Sequence, residues 1–319
     1  MKAIVQVRYG SPDGLELRDI EPPPIGEDQV RIEVRAASVN FADLGSLKRL
    51  PQLIGRLLRQ PRTRRRGFDL SGRVEATGKN VTQWKPGDEV FGVGIGSFAE
   101  FAVSTENRLA AKPRNLTFEQ AAAIPVAGVT ALQGLRDKAL LKTGQSVLIY
   151  GAGGGVGTFA VQIAKALGAR VTAVSNTSNI DLLRTIGADE VLDYTHQDFA
   201  GHGQRYDVLF DLGANRSLKD CRRALTPAGI HVLAGAGTRM WPIVSRLVKA
   251  QLRAKIGKQR IGPFLARVRQ ADLVVLKDLA EAGKLVPAID RVYPLSAVPD
   301  ALRYLGTGGA RGKIVIRIG

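Results

Sequence analysis

The run VLIYGAGGGVG, residues 147–157, restricts the fold more than any other segment. An apolar strand enters a cluster of glycines and leaves as FAVQIAKALGA, a stretch of good helix formers that Gly168 closes, which predicts a helix over 156–167. Glycine permits positive φ and lets a pyrophosphate approach the backbone, where free amides and the positive end of the helix dipole meet its charge. Ala152, Gly154 and Gly157 stand at the three fingerprint places, and Gly153, Gly154, Gly155, Val156 and Gly157 are the candidate phosphate-cradling residues. Alone, such a run would mark only a flexible turn. With a strand before it, a helix after it and a second strand following, it predicts a dinucleotide site.

The chain around this motif has two textures. From 118 to 235, apolar strand, glycine turn and helix alternate, with strands predicted at 146–150, 170–175, 190–192, 206–211 and 230–234; this is the pattern of βαβ units on a doubly wound parallel sheet of the Rossmann type. From 1 to about 115, β-branched runs at 30–34, 90–93 and 98–103 are separated by turn signals such as KPGD at 85–88, which predicts a mostly β domain. After Gly262 a helix over 272–282 and a final strand over 313–318 are assigned to that first domain. A chain of 319 residues is long enough for two cores, and the expected division is 1–117 plus 262–319 for the strand-rich domain and 118–261 for the Rossmann domain.

Which dinucleotide is bound depends on the end of the second strand, where an Asp or Glu ordinarily receives the ribose 2′-hydroxyl of NAD. Here the turn reads SNTSN. Ser175, Asn176 and Thr177 are neutral donors that tolerate a 2′-phosphate, and Asp181 lies further along, so NADPH is the expected cofactor. The turn carries no arginine, and it also reads as a simple cap for the next helix.

One cysteine, Cys221, cannot form an internal disulfide and suits a reducing, cytoplasmic setting. The histidines, His196, His202 and His231, show no ligand-like spacing, so no metal site is expected. The first residues lack a secretory pattern, and no charge-free apolar run is long enough to cross a bilayer. A net charge of +17 attracts polyanions, and two segments, 48–67 and 239–260, mix cations with apolar residues. In the second, Ile243, Val244, Leu247, Val248 and Leu252 share one helical face while Arg246, Lys249 and Arg253 lie toward another. That is the pattern of a peripheral helix on an anionic membrane, and equally of an amphipathic helix packed over a cleft. Nucleic acid is not the expected partner, because no aromatic platform accompanies the charge.

Several segments in order, AASVNFAD (36–43), GFDLSG (67–72), KPGDEVFG (85–92), AGVTAL (127–132), the glycine turn, IGADEVLDY (186–194) and ARGKIVI (310–316), span nearly the whole chain. Together they resemble the zinc-free quinone oxidoreductase branch of the medium-chain dehydrogenase/reductase superfamily. The resemblance implies a GroES-like substrate domain interrupted by a Rossmann domain, with the active site in the cleft between. Zinc-dependent relatives carry a cysteine ligand at the place of Asn40, a histidine at that of Phe68 and a four-cysteine lobe, none of which this chain has. Without a Lewis acid, the resemblance implies reduction of an activated acceptor, a quinone or an α,β-unsaturated carbonyl, by hydride from nicotinamide C4 of NADPH.

By the same resemblance, Gly154, Gly155 and Val156 hold the pyrophosphate and Ser175 and Tyr194 lie near the 2′-phosphate. Leu212 and Gly213 lie by the ribose, and Thr130 and Ala236, in the turn 234–237, flank the nicotinamide. Asn40 and Asp43 face the substrate as the candidate catalytic pair. They also read as an N-cap with an acid in the first turn, just as Thr130 reads as a helix residue bonding its own backbone and Tyr194 as a strand end. Gly45 stands where many relatives carry a tyrosine, which leaves the proton to water. Two other functions fit: an enoyl-thioester reductase, and an NADPH-binding protein without catalysis that contacts RNA or anionic membrane. The expected oligomer is a monomer or homodimer.

Overall fold

The computed structural model describes residues 1–47, 65–199, 201, 203–213, 216–234 and 259–319. At the N-terminus β1 (Lys2–Gln6) and β2 (Leu15–Asp19) form an antiparallel pair. The long strand β3 (Gln29–Val39) alternates buried and half-buried residues, so Val30, Ile32 and Val34 enter one core. It leads into the short helix α1 (Phe41–Ser46). The strands β4 (Asp69–Thr77), β5 (Glu89–Val93), β6 (Phe101–Thr105) and β7 (Leu109–Ala111) extend the sheet around β3, and helix α2 (Phe118–Ala122) follows.

Helix α3 (Pro125–Gln133) leads to the parallel sheet. In chain order come β8 (Ser146–Tyr150), α4 (Gly155–Ala166), β9 (Arg170–Ser175), α5 (Ile180–Thr185) and β10 (Glu190–Asp193). They are followed by β11 (Tyr206–Asp211), α6 (Leu218–Arg223), β12 (Leu225–Leu233) and β13 (Arg260–Pro263). The strand order is β10-β9-β8-β11-β12-β13, all parallel, so the direction of winding reverses between β8 and β11 as in a Rossmann sheet.

The tail supplies α7 (Gln270–Glu281), β14 (Ile289–Pro294), α8 (Val298–Thr307) and β15 (Lys313–Arg317). Strand β15 pairs antiparallel with β3, placing Ile314 opposite Val39. Helix α8 buries Val298, Ala301, Leu302 and Leu305, an i, i+3, i+4, i+7 stripe, on the core shared with β3.

Two compact units result: Met1–Val126 with Val268–Glu281 and Ile289–Gly319, and Ala127–Arg267 with Ala282–Ala288. The boundary expected at 117/118 therefore moves to 126/127. Ala122 and Ala123, at and just after the end of α2, pack with Ala36 and Val315, and the Val126 amide donates to Asp69, so this stretch belongs to the strand-rich unit. The second boundary moves from 261/262 to 267/268, because β13 pairs with β12 and Gln133 bonds the backbone of Arg267. Residues 282–288 belong to the Rossmann unit, where Gln162 of α4 bonds both backbone groups of Val286.

Candidate active site

Within the Rossmann unit the glycine turn is anchored to β9: the amides of Gly151 and Ala152 both donate to Val174 O at 3.1 Å. The glycines have different reasons to be there. Gly151 takes φ +83, the left-handed value a tight turn needs; Ala152, at the first fingerprint place, does not. At Gly157 a Cβ would fall inside contact distance of the Gly151 and Ala152 carbonyl oxygens, so this glycine lets α4 close against the turn. At Gly154 the nearest atom to a built Cβ is Gly151 O at 3.6 Å, which leaves space for a ligand to come up to the backbone. Gly154 is the N-cap of α4, and the first-turn amides of Gly155, Val156 and Gly157 have no acceptor within the helix. Open space in front of unsatisfied amides and a helix N-terminus fits a pyrophosphate.

Ser175 ends β9, opposite Asp193 of β10, and Tyr194 N donates to Ser175 O at 3.0 Å. Gly153 lies against Ser175 and Asn179, so the turn and the neutral strand end form one patch. Asn179 ties it together, its Nδ2 donating to Ser175 Oγ at 2.9 Å and Asn176 Oδ1 at 2.7 Å. The Thr177 hydroxyl donates instead to Asp193 at 2.5 Å, so its proton is committed within the protein and Thr177 is not the free donor expected. Asp193 also accepts from Thr195 N and Oγ, and these hydroxyls and amides hold its carboxyl far below the usual carboxylate range. Leu212 N donates to Tyr150 O, and Gly213 N to Asp211 Oδ1, at the end of β11. Thr130 is half-buried in α3 of the same unit, while Ala236 lies outside the described residues. So do His202 and the stretches 48–64 and 239–258 of the two basic segments.

The histidine spacing points to no metal site; the fold brings one ligand atom each of Asp211, Cys221 and His231 within 4.8 Å of one another, all buried. His231 Nε2 lies 3.2 Å from Asp211 Oδ2. These residues are ten apart along the chain, and only adjacent parallel strands with α6 over them make them neighbours.

Asn40 and Asp43 sit together in the other unit. Asn40 is the N-cap of α1, and its backbone N–H donates to Asp43 Oδ2 at 2.7 Å. The capping geometry is therefore present, and it sits inside a larger polar cluster. The Asn40 carboxamide donates from Nδ2 to Asp69 Oδ2 at 2.9 Å and accepts at Oδ1 from Lys313 Nζ at 2.6 Å. Asp69 is held by Ser38 Oγ at 2.8 Å and by Val126 N at 3.0 Å. Burial pushes the Asp43 carboxyl up to about 7, the Asn40 amide opposing and Asp69 adding to the rise. Burial likewise pushes the Lys313 ammonium down, with Asp69 and Asp43 opposing. Among the described residues, Asp43 Oδ1 has no hydrogen-bond partner.

Two family descriptions match the chain: an alcohol dehydrogenase GroES-like domain over residues 26–114 and a zinc-binding dehydrogenase over 186–316. A 2-methylene-furan-3-one reductase of Solanum lycopersicum is 35% identical over 99% of this chain and 79% of its own. The quinone oxidoreductase of Coxiella burnetii, a solved structure, superposes with a TM-score of 0.87 at 30% identity, covering 100% of this chain and 99% of that one. This chain belongs to the quinone oxidoreductase branch of the medium-chain dehydrogenase/reductase superfamily. An NADPH-dependent alkenal/one oxidoreductase of Arabidopsis thaliana is 33% identical over 99% of this chain and 79% of its own.

As a medium-chain reductase the protein is an oxidoreductase with a nicotinamide cofactor and a small-molecule substrate. The zinc named in one family description does not fit at Asn40: the carboxamide oxygen is taken by the Lys313 ammonium, the neighbouring place is Phe68, and a second cation would face that ammonium. Sequence reasoning missed Lys313, Asn179 and Asp193. The first was visible only as part of the ARGKIVI motif, with nothing local to show that it is buried.

Proposed function

We propose that this reductase uses NADPH to reduce a quinone or an α,β-unsaturated carbonyl, with Asn40 facing the acceptor. The observation that carries this reading is the pairing of Asn40 with an internal ammonium where zinc relatives hold a metal. With a carboxamide there in place of a Lewis acid, the acceptor must already be activated by conjugation. Bound NADPH supplies the hydride. The chain's part is to hold the dinucleotide on the glycine turn and to orient the acceptor, which is where positioning contributes most of the acceleration.

The choice of NADPH is supported by the end of β9. Ser175 offers no carboxylate, and the nearest acid, Asp193, is saturated by Thr177 and Thr195. An acid already accepting three hydrogen bonds is a poor partner for a ribose hydroxyl. The one cysteine suits a reducing cytoplasm, and a monomer or homodimer serves this chemistry equally well.

The test is the initial rate of NADPH and NADH oxidation against quinones, short enones and one enoyl-CoA. Turnover with NADPH and free conjugated acceptors is expected. Preference for the thioester would shift the substrate class to enoyl-thioesters, and tight NADPH binding with no turnover on the whole panel would sink the enzymatic reading. A Ser175→Asp variant should bind NADPH on the order of a hundredfold more weakly, because two like charges are forced together at the 2′-phosphate, while NADH binding holds or improves. Equal losses for both cofactors in a fluorescence titration would remove Ser175 from the 2′-phosphate site.

A further inference from the structure

Lys313 is an unusual residue to find sealed in a core. Its side chain is 3% exposed, that of Asp69 beside it 0%, and an isolated ammonium there would be expensive to desolvate. The sheet explains how it gets there. Ile314 pairs with Val39 and Ser38 with Asp69, so β15, β3 and β4 deliver Lys313, Asn40 and Asp69 to one point from three separate parts of the chain. Lys313 Nζ donates to Asn40 Oδ1 at 2.6 Å and Val39 O at 3.1 Å, and lies 3.5 Å from Asp69 Oδ2.

These contacts leave the Asn40 carboxamide one orientation. An ammonium only donates and a carboxylate only accepts. Flipping the amide would turn its NH2 toward Lys313 and its oxygen toward Asp69, replacing two charge-assisted hydrogen bonds with two repulsions. Asp43 fixes the Asn40 backbone from a third side. Asn40 sits at the edge of this cluster, and the residues next to it and to Asp69 in the chain, Phe41 and Phe68, expose apolar rings. Lys313 and Asp69 are sealed off and would not touch an acceptor themselves, whereas Asn40, which both of them bond, lies nearest the surface of the cluster.

We propose that Lys313 is a positioning residue: its buried ammonium, with Asp69, sets the orientation in which Asn40 presents its carboxamide to the acceptor. This rests on the reading of Asn40 as the acceptor-facing group. Lys313→Met keeps the alkyl volume and removes the donor, so the fold has its packing but Asn40 has lost its lock. The variant should lose roughly tenfold to a hundredfold in kcat with conjugated acceptors. Its dissociation constant for NADPH should stay at the wild-type value.

A double-mutant cycle separates action through Asn40 from a general structural role. Asn40→Ala/Lys313→Met should be no slower than Asn40→Ala alone, because once the carboxamide is gone there is nothing left to orient. Where Lys313→Met alone unfolds, Lys313→Met/Asp69→Asn removes both charges together and takes its place in the cycle. Wild-type kcat in the lysine variant, or losses that multiply in the double variant, would overturn the proposal while leaving the reductase reading intact. An Asn40→Ala variant as active as wild type would overturn the acceptor-facing role itself, and with it the proposal.

Discussion

Asp43→Asn is expected to gain stability over the wild type as pH rises, by about 4 kcal/mol between pH 4 and pH 8. The folded carboxyl titrates at about 7 against 3.8 when unfolded, chiefly because burial disfavours its charge. A group whose folded pKa is raised holds its proton more tightly in the native state. Its contribution is complete below about pH 4 and disappears as pH climbs through 7, where the native state must carry a buried charge.

Asparagine is neutral throughout. Its oxygen can still accept from the Asn40 amide, while its NH2 faces the spot where Asp43 Oδ1 has no partner among the described residues. The protonated Asp43 puts its own O–H at that same place, so the variant and the wild type are close in stability near pH 4, and the variant pulls ahead as pH rises to 8. At roughly 2 °C per kcal/mol for a chain this long, the difference in Tm between the two proteins should change by several degrees across that range. Parallel melting curves at pH 5, 6, 7 and 8 would show that Asp43 is already ionised at pH 5 and that its burial costs little.

The parts of this molecule that could be read from sequence are those set by local pattern. The strands 146–150, 170–175 and 206–211 match their expected ends, because apolar runs there stop abruptly at glycine, asparagine or aspartate. Strand β12 starts at Leu225, five residues before the expected 230: Leu225 pairs with Tyr206 of β11, while Thr226, Pro227, Ala228 and Gly229, which look like a turn, lie at a bulge before pairing resumes between Ile230 and Val208. The cofactor patch was legible for the same local reason. The polar cluster was only half legible: Asn40 and Asp43 are neighbours in one motif, but Lys313 reaches Asn40 across 273 residues and Asp69 across 244. Thr177 shows the other limit. Its type suggested a phosphate donor, and only the pairing of β9 with β10 reveals that Asp193 takes its proton.

Two alanine substitutions only three residues apart should fail in opposite ways. Gly154→Ala should leave the unliganded protein as stable as before. The backbone there has φ −83 and ψ 176, which alanine adopts freely, and the nearest atom to the new methyl is 3.6 Å away. The reduced entropy of the unfolded chain favours the variant by about 0.4–1 kcal/mol, and alanine's weaker performance as an N-cap offsets it by a similar amount. Affinity is another matter. The methyl fills the space through which a pyrophosphate reaches the α4 amides, and a tenfold or greater loss of NADPH binding is expected from losing even one charge-assisted hydrogen bond of about 1.5–3 kcal/mol.

Gly157→Ala reverses the pattern. Its methyl would press into the carbonyl oxygens of Gly151 and Ala152, which are backbone atoms bound into the turn and cannot swing aside. Overpacking of this kind costs about 1–3 kcal/mol, and the melting temperature of the unliganded protein should fall accordingly. Calorimetric melts without cofactor, paired with NADPH titrations on whatever remains folded, distinguish the two. Unchanged affinity in Gly154→Ala would mean that the pyrophosphate does not lie on this turn, and unchanged melting in Gly157→Ala would mean that α4 can move away from β8 without cost.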